Sequence, residues 1–493
     1  MKRTSTLLFC ILITSCGGGA SGSGSMGGTF SVPAGVTDTI FRSCLESQAK
    51  VKGWRNNTDV KSISCPRQDN SSSYGAGIVS LAGIQAFANL EEIFVEGSGN
   101  HALGQLGDLS PLSSMPRLHT IEVLVSDIRS FESIRGMNSL RKLTLILSNI
   151  NDISALPSMP NLRYLNISGF TTLGAPIADF DPISQLSNLE ELHLVAYEPV
   201  RDYGLGFLAG LTNLKVLDIS ENFLTDLNGL QHLPNLEALD LSYSFALNFN
   251  LAPQNEAIIA ALTNLRSLRY AAFDGQSLGF ISNMDKLETL VVTRYYGLSD
   301  MDLLTIGTLT TLKELYLEGF ANADISLLQG LSNLELLWLA DGTVDSTTLA
   351  FPASLTSLRE IHMNDAFHYH YLFGDSRGDF KNSYEVFKDL PSLSELHLVQ
   401  PWLSSAAAVT MNPNIGSLSM VAAFLDDLTF LQDVAGIRQL DLSSNPFTEL
   451  NALASMPDLD KLTLNSTQVS CAELDEFRAA ASSVVVISDL NCP

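Results

Sequence analysis

The chain has 493 residues, 53 of them acidic against 28 basic, for a formal net charge of −25. So acidic a surface repels DNA, RNA and anionic lipid headgroups, which excludes nucleic-acid binding and membrane attachment through a basic patch. The length exceeds what one ordinary globular core supports, and a single domain accommodates it only if the core grows along one axis, as in a repeat array.

At the N-terminus, Lys2 and Arg3 precede the apolar run Leu7 to Ile13, the pattern of a secretory signal and too short to span a bilayer. The run ends in Ile13-Thr14-Ser15-Cys16 followed by Gly17-Gly18-Gly19. Small residues before a cysteine resemble the bacterial lipobox, which implies cleavage after residue 15, lipidation of Cys16 and an anchor in the cell envelope. Gly17 stands where an aspartate would mark inner-membrane retention in the best-studied Gram-negative bacteria, so the outer membrane is expected. Residues 16–35 are rich in Gly and Ser and read as a flexible tether.

Residues 36–89 are expected to form an N-terminal cap, with a helix over Thr37 to Lys50 and a strand over Val60 to Cys65. Residues 470–493 are expected to form a C-terminal cap. There Ser470-Cys471-Ala472-Glu473 has the form of a capping box, opening a helix to Ala481 before the strand Val484 to Ile487. Apart from Cys10 and Cys16, the cysteines are Cys44, Cys65, Cys471 and Cys492, one pair at each end. An exported protein meets an oxidising compartment, so disulfides are expected. The local pairings are favoured because the others would join opposite ends of an extended rod.

Between the caps, residues 90–469 repeat. Asn213-Leu214-Lys215-Val216-Leu217-Asp218-Ile219 and Asn235-Leu236-Glu237-Ala238-Leu239-Asp240-Leu241 share the pattern LxxLxL. Its first apolar residue recurs at 90, 118, 140, 162, 189, 214, 236, 265, 287, 312, 334, 358, 393, 415, 437 and 459, about sixteen copies. Eight of the fifteen intervals are 22 residues, and the rest run from 24 to 35, as loop insertions into a solenoid would produce. The alternating leucines predict a short strand per copy with one face buried, and stacking of copies completes the core. Segments such as Asp152-Ile153-Ser154, Asp226-Leu227-Asn228 and Asp324-Ile325-Ser326 predict Asp-capped helical turns on the opposite side, which accounts for part of the acidity.

This pattern resembles the leucine-rich-repeat family, and within it the 22-residue internalin-like class of bacterial proteins. The resemblance spans roughly residues 60 to 490. It implies an α/β repeat solenoid, a horseshoe with a parallel sheet on its concave face and short helical or 3-10 turns on its convex face. It also implies a non-enzymatic protein-binding role. The family's asparagine after the strand is present at Asn222 and Asn445 but replaced in most copies, so Ser or water is expected to take its place.

The central exposed position of each strand reads Phe94, Glu122, Thr144, Asn166, His193, Asp218, Asp240, Arg269, Val291, Tyr316, Trp338, His362, His397, Ser419, Asp441 and Thr463. The run Tyr316–Trp338–His362–His397, with Glu314, Glu318, Glu360 and Glu395 beside it, is the candidate binding patch for a protein or basic peptide, or for a glycan. Rings stacking merely to stabilise the sheet is the competing reading. His193–Asp218–Asp240–Arg269 reads as a salt-bridge ladder. The insertion around His368 to Phe380 lies beside the ring patch in sequence and contains Arg377-Gly378-Asp379, a three-residue match that arises easily by chance.

No catalytic site, cofactor or metal is expected. His362, His368, His370 and His397 lack HExxH or comparable spacing. Gly275-Gln276-Ser277-Leu278-Gly279 spells the nucleophile-elbow pattern without its strand–turn–helix frame, and Gly204-Leu205-Gly206 lacks a βαβ frame. The expected protein is a monomeric envelope binder attached to the membrane through its lipid alone. The alternative is a structural or adhesive envelope component with no discrete site.

Overall fold

The computed structural model describes residues 30–67, 77–98, 105–168, 177–195, 203–222, 224, 226–242, 253–272, 277–294, 298–319, 324–340, 351–364, 387–399, 412–432 and 434–492. The signal segment, Cys16, and the insertion with His368, His370 and Arg377-Gly378-Asp379 lie outside them.

Among the described residues, eighteen strands follow one another: β1 (Ser62–Cys65), β2 (Glu92–Glu96), β3 (Thr120–Ser126), β4 (Lys142–Ser148), β5 (Tyr164–Asn166), β6 (Glu191–His193), β7 (Val216–Asp218), β8 (Ala238–Leu241) and β9 (Ser267–Ala272). The second half comprises β10 (Thr289–Arg294), β11 (Glu314–Glu318), β12 (Leu336–Ala340), β13 (Glu360–Asn364), β14 (Glu395–Val399), β15 (Ser417–Val421), β16 (Gln439–Asp441), β17 (Lys461–Thr463) and β18 (Val485–Ile487). Each pairs in parallel with the next, in one sheet, and the register aligns every central position inferred from the repeat.

The repeat leucines are the core: Leu214, Leu217, Ile219, Leu227 and Leu230 of one copy are all 0% exposed, and each contributes roughly 1.5–3 kcal/mol by leaving water. Of the three expected Asp caps, Asp324 caps its 3-10 turn, accepting from the Ser326 amide at 3.0 Å. Asp152 and Asp226 instead accept from the Ser154 and Asn228 amides at 2.9 and 2.8 Å, ahead of turns whose caps are Ala155 and Gly229.

Two hydrogen-bonded lines run along the solenoid. After the strands, the buried Asn445 donates to the carbonyls of Met420 and Leu442 at 2.7 and 2.8 Å and accepts from the Leu425 amide at 3.1 Å. Where asparagine is missing, serine does take over: Ser126 and Ser148, both 2% exposed, share a 2.7 Å hydroxyl–hydroxyl bond. Before the strands runs a second line that the motif did not announce. Asn161, Asn188, Asn213, Asn235, Asn264, Asn333 and Asn414 each donate to a carbonyl in the preceding repeat, at 2.8–3.0 Å.

The first helix is Thr39–Lys52, two residues later than the sequence suggested, because Asp38 is the cap and accepts from the amides of Ile40 and Phe41. Its other oxygen accepts from Val79 and Ser80 at 2.8 and 3.1 Å, tying the helix to the first repeat. The last helix is Cys471–Ala480. Ser470 accepts from the Glu473 amide, but Glu473 turns its carboxylate to the Leu450 amide at 2.7 Å, so it bonds the preceding repeat where the capping box would have it return to Ser470. Cys44–Cys65 and Cys471–Cys492 are disulfide-bonded, with Cα atoms 5.8 and 5.5 Å apart.

Candidate functional site

Strand pairing places Tyr316, Trp338, His362 and His397 side by side on β11 to β14. Each ring alternates with buried apolar residues along its strand, leucines on β11, β12 and β14 and Ile361 and Met363 on β13, so all point from the same face. Ring centroids lie 6.0 Å apart for Tyr316–Trp338, 4.4 Å for Trp338–His362 and 4.3 Å for His362–His397. The last two pairs are stacked within 13° and 10° of parallel, and all four rings are half-buried.

The acidic flanks close in on these rings. Glu360 Oε1 lies 2.5 Å from His362 Nε2, and Glu395 Oε2 lies 3.7 Å from His397 Nε2. Glu318 accepts from the Thr293 hydroxyl at 3.1 Å, and Glu314 sits across from Leu336. Burial holds the His397 pKa below the usual histidine value, and the neighbouring His362 adds to the effect. Burial, then the Glu314 charge, raises the Tyr316 hydroxyl above its ordinary value. One contribution was missed in the sequence: Leu336 and Ala340 flank Trp338 on β12. An apolar strand therefore lies between an acidic β11, carrying Glu314 and Glu318, and Glu360 on β13. The signal was present in the flanking positions, which the reading of central positions passed over.

The second run is an ion-paired ladder with an added role. His193 Nδ1 meets Asp218 Oδ2 at 3.4 Å, and Arg269 Nε meets Asp240 Oδ2 at 3.7 Å. Burial lowers the His193 pKa, but hydrogen bonding to Asp218 and the nearby Glu191 outweighs it and carries the value up to about 9. Burial and the charge of Asp218 push Asp240 upward. Both aspartates also accept from the serine two residues on, Ser220 and Ser242, as Asp441 does from Ser443. Asp-x-Ser at the strand end is thus a turn device repeated along the sheet.

A third line was missed outright. At the position before each strand, Arg163, Glu190, Lys215, Glu237, Arg266, Glu288, Lys313, Glu335 and Arg359 alternate in sign over nine consecutive repeats. Glu190 bridges Arg163 and Lys215, Glu288 bridges Arg266 and Lys313, and Glu335 pairs with Arg359. Their sharing depresses the pKa of Glu190 and Glu288 through hydrogen bonds from the two cations on either side.

The elbow-like motif is structural where described: Ser277 Oγ accepts from the Gly279 amide at 3.1 Å, just ahead of the 3-10 turn Gly279–Asn283. Among the described residues, no helix is long and apolar enough to cross a membrane.

The leucine-rich-repeat family model matches residues 187–244, the span of the His193–Asp240 rungs. The fold is a leucine-rich-repeat horseshoe. Proteins of this fold are in general non-enzymatic scaffolds for protein–protein interaction. Among solved structures, a leucine-rich-repeat protein of Leptospira interrogans is 19% identical over 88% of this chain and 97% of its own, with a TM-score of 0.47. An internalin of Listeria monocytogenes is 16% identical over 94% and 98%, with a TM-score of 0.31. Internalin C2 of the same organism is 18% identical over 55% and 100%, with a TM-score of 0.35. No curated protein matches the chain.

Proposed function

We propose that the chain is a protein-binding lipoprotein of a bacterial cell envelope, and that Tyr316, Trp338, His362 and His397 are its principal contact surface. The observation that carries this is the unbroken row of four half-exposed rings on adjacent strands. Rings on a rigid sheet present large contact area with little side-chain entropy left to lose, and Trp and Tyr dominate interface hot spots. Leu336 and Ala340 widen the apolar centre, and Glu314, Glu318, Glu360 and Glu395 supply a polar rim. The matching partner is a peptide segment or protein loop with an apolar side chain flanked by Lys or Arg. With Cys16 acylated, the horseshoe would be held at a membrane surface, the outer membrane in our reading, by a Gly/Ser tether.

The test is capture of partners from envelope extracts by the purified chain, compared with the double variant Tyr316→Ala, Trp338→Ala. A partner retained by the wild type and lost from the variant, at unchanged melting behaviour, supports the patch. Equal capture by both sinks the assignment. In parallel, a Cys16→Ser chain should leave the detergent phase and lose metabolically incorporated fatty acid; continued incorporation would remove the lipoprotein reading.

A further inference from the structure

Glu360, His362 and His397 bring three ligating atoms within 4.8 Å of one another. We infer that they form a zinc-binding site on the face of the sheet, a property separate from protein capture. Two imidazoles and one carboxylate are a donor set suited to Zn²⁺. The sequence lines His362 and His397 up as neighbouring central positions but gives them no metal-motif spacing, because their strands are separated by the longest interval in the array, from 358 to 393. Only the pairing of β13 with β14, which sets His362 against His397 and Glu360 against Glu395, puts them together.

The side chains must close on the ion. At metal–ligand bonds of about 2.0–2.1 Å in a tetrahedral site, two donors on one ion lie ~3.3–3.4 Å apart, so donors that lie within 4.8 Å of one another must draw together. The strand backbones are fixed by their pairing, and the side chains close that gap by rotation. Glu360 Oε1 is hydrogen-bonded to His362 Nε2 at 2.5 Å, and that pair opens to admit an ion between its two atoms. What must change is the parallel stack of the two imidazoles, which tilts so that one nitrogen of each converges on the ion. The side chains of Glu360, His362 and His397 are 33%, 16% and 26% exposed, which leaves an ion a path from solvent. Two residues further along β13, Asn364 Oδ1 is buried without a hydrogen-bond partner, a further oxygen donor on the same strand. Three protein ligands leave a coordination position open to water or to an incoming carboxylate or imidazole.

Trp338 supplies the reporter, since it is stacked on His362 at 4.4 Å. Chelator-treated full-length protein is titrated with Zn²⁺ against a chromophoric chelator while tryptophan emission is followed. We expect one equivalent bound with a dissociation constant in the micromolar range or tighter, with a change in emission. His362→Ala and His397→Ala should each weaken binding at least tenfold. Trp338→Phe should bind as wild type does but lose the emission change. Binding unaltered in the His362→Ala, His397→Ala double variant, or abolished instead by His368→Ala, His370→Ala, would overturn the site. Circular dichroism melts of each variant separate lost ligation from lost folding. The result is independent of partner capture, which is read without metal.

Discussion

Asn445→Ala is the most direct test of what holds successive repeats together. Asn445 is 2% exposed, and its side chain joins Met420, Leu442 and Leu425 through bonds of 2.7, 2.8 and 3.1 Å. Alanine removes these three and a longer bond to the Ser443 carbonyl at 3.2 Å, and the main-chain groups it abandons lie in the interior, where water cannot replace the lost partner. At about 1 kcal/mol net per bond, and more for any group left wholly unpaired, the loss is about 3–5 kcal/mol. Ser126→Ala removes one bond, to Ser148, and should cost about 1 kcal/mol. Urea melts of the two variants give the comparison, and hydrogen exchange gives the location. In a solenoid each repeat touches only its neighbours, so the Asn445 loss should appear as faster exchange in β15 to β18 while β2 to β8 remain protected. Asn445→Ala within 1 kcal/mol of wild type, or no worse than Ser126→Ala, would refute the reasoning.

Two further outcomes follow from the same contacts. His193 has a folded pKa of about 9 against an ordinary 6.5. Its protonated form therefore stabilises the fold fully below about pH 6.5, and that contribution fades as pH rises through 9. Linkage caps it at about 3 kcal/mol, and the long contacts of 3.4 and 3.9 Å place it nearer 1. Melts from pH 6 to 10 should fall for the wild type and be flatter for His193→Gln; parallel profiles would remove His193 as the cause. Replacing Cys471 and Cys492 by serine opens a link between residues 21 apart and should destabilise the C-terminal cap by about 3 kcal/mol. Exchange should rise first around the buried Leu474 and Phe477, and an unchanged exchange pattern there would show that packing alone holds the cap.

Register was legible because its cause is local. A leucine at every second position decides which face is buried, so one copy suffices to name the outward residue, and His362 opposite His397 follows from aligning copies. The end pairings of cysteines were legible for the same kind of reason. What escaped notice was carried between copies. An asparagine before a leucine is unremarkable by itself, and Asn213 acquires its meaning only from the Ser187 carbonyl of the previous turn. Leu336 and Ala340 matter only because acidic strands lie to either side. The alternating charges share this property: Glu190 is unremarkable by itself, and only the ladder sets it between Arg163 and Lys215.

The alternating charges also explain why so acidic a chain stacks nine copies without strain. A solenoid sets equivalent positions about 4.8 Å apart, so one charge kept at this position in every copy would build a like-charged column. Alternation turns each junction into an attraction. Exposed pairs contribute little individually, but a shared carboxylate such as Glu288 serves Arg266 and Lys313 at once. Loss of a single copy would put like charges together at the join, so the pattern also disfavours stacking out of order. Glu288→Lys tests this by placing a third cation between two. The variant should melt below wild type at low ionic strength and recover most of the difference in high salt, because screening weakens repulsion between exposed charges. Glu288→Gln, which removes attraction without adding repulsion, should fall between them. A deficit in Glu288→Lys that salt leaves untouched would mean that the position matters for packing, and the alternation would then need another explanation.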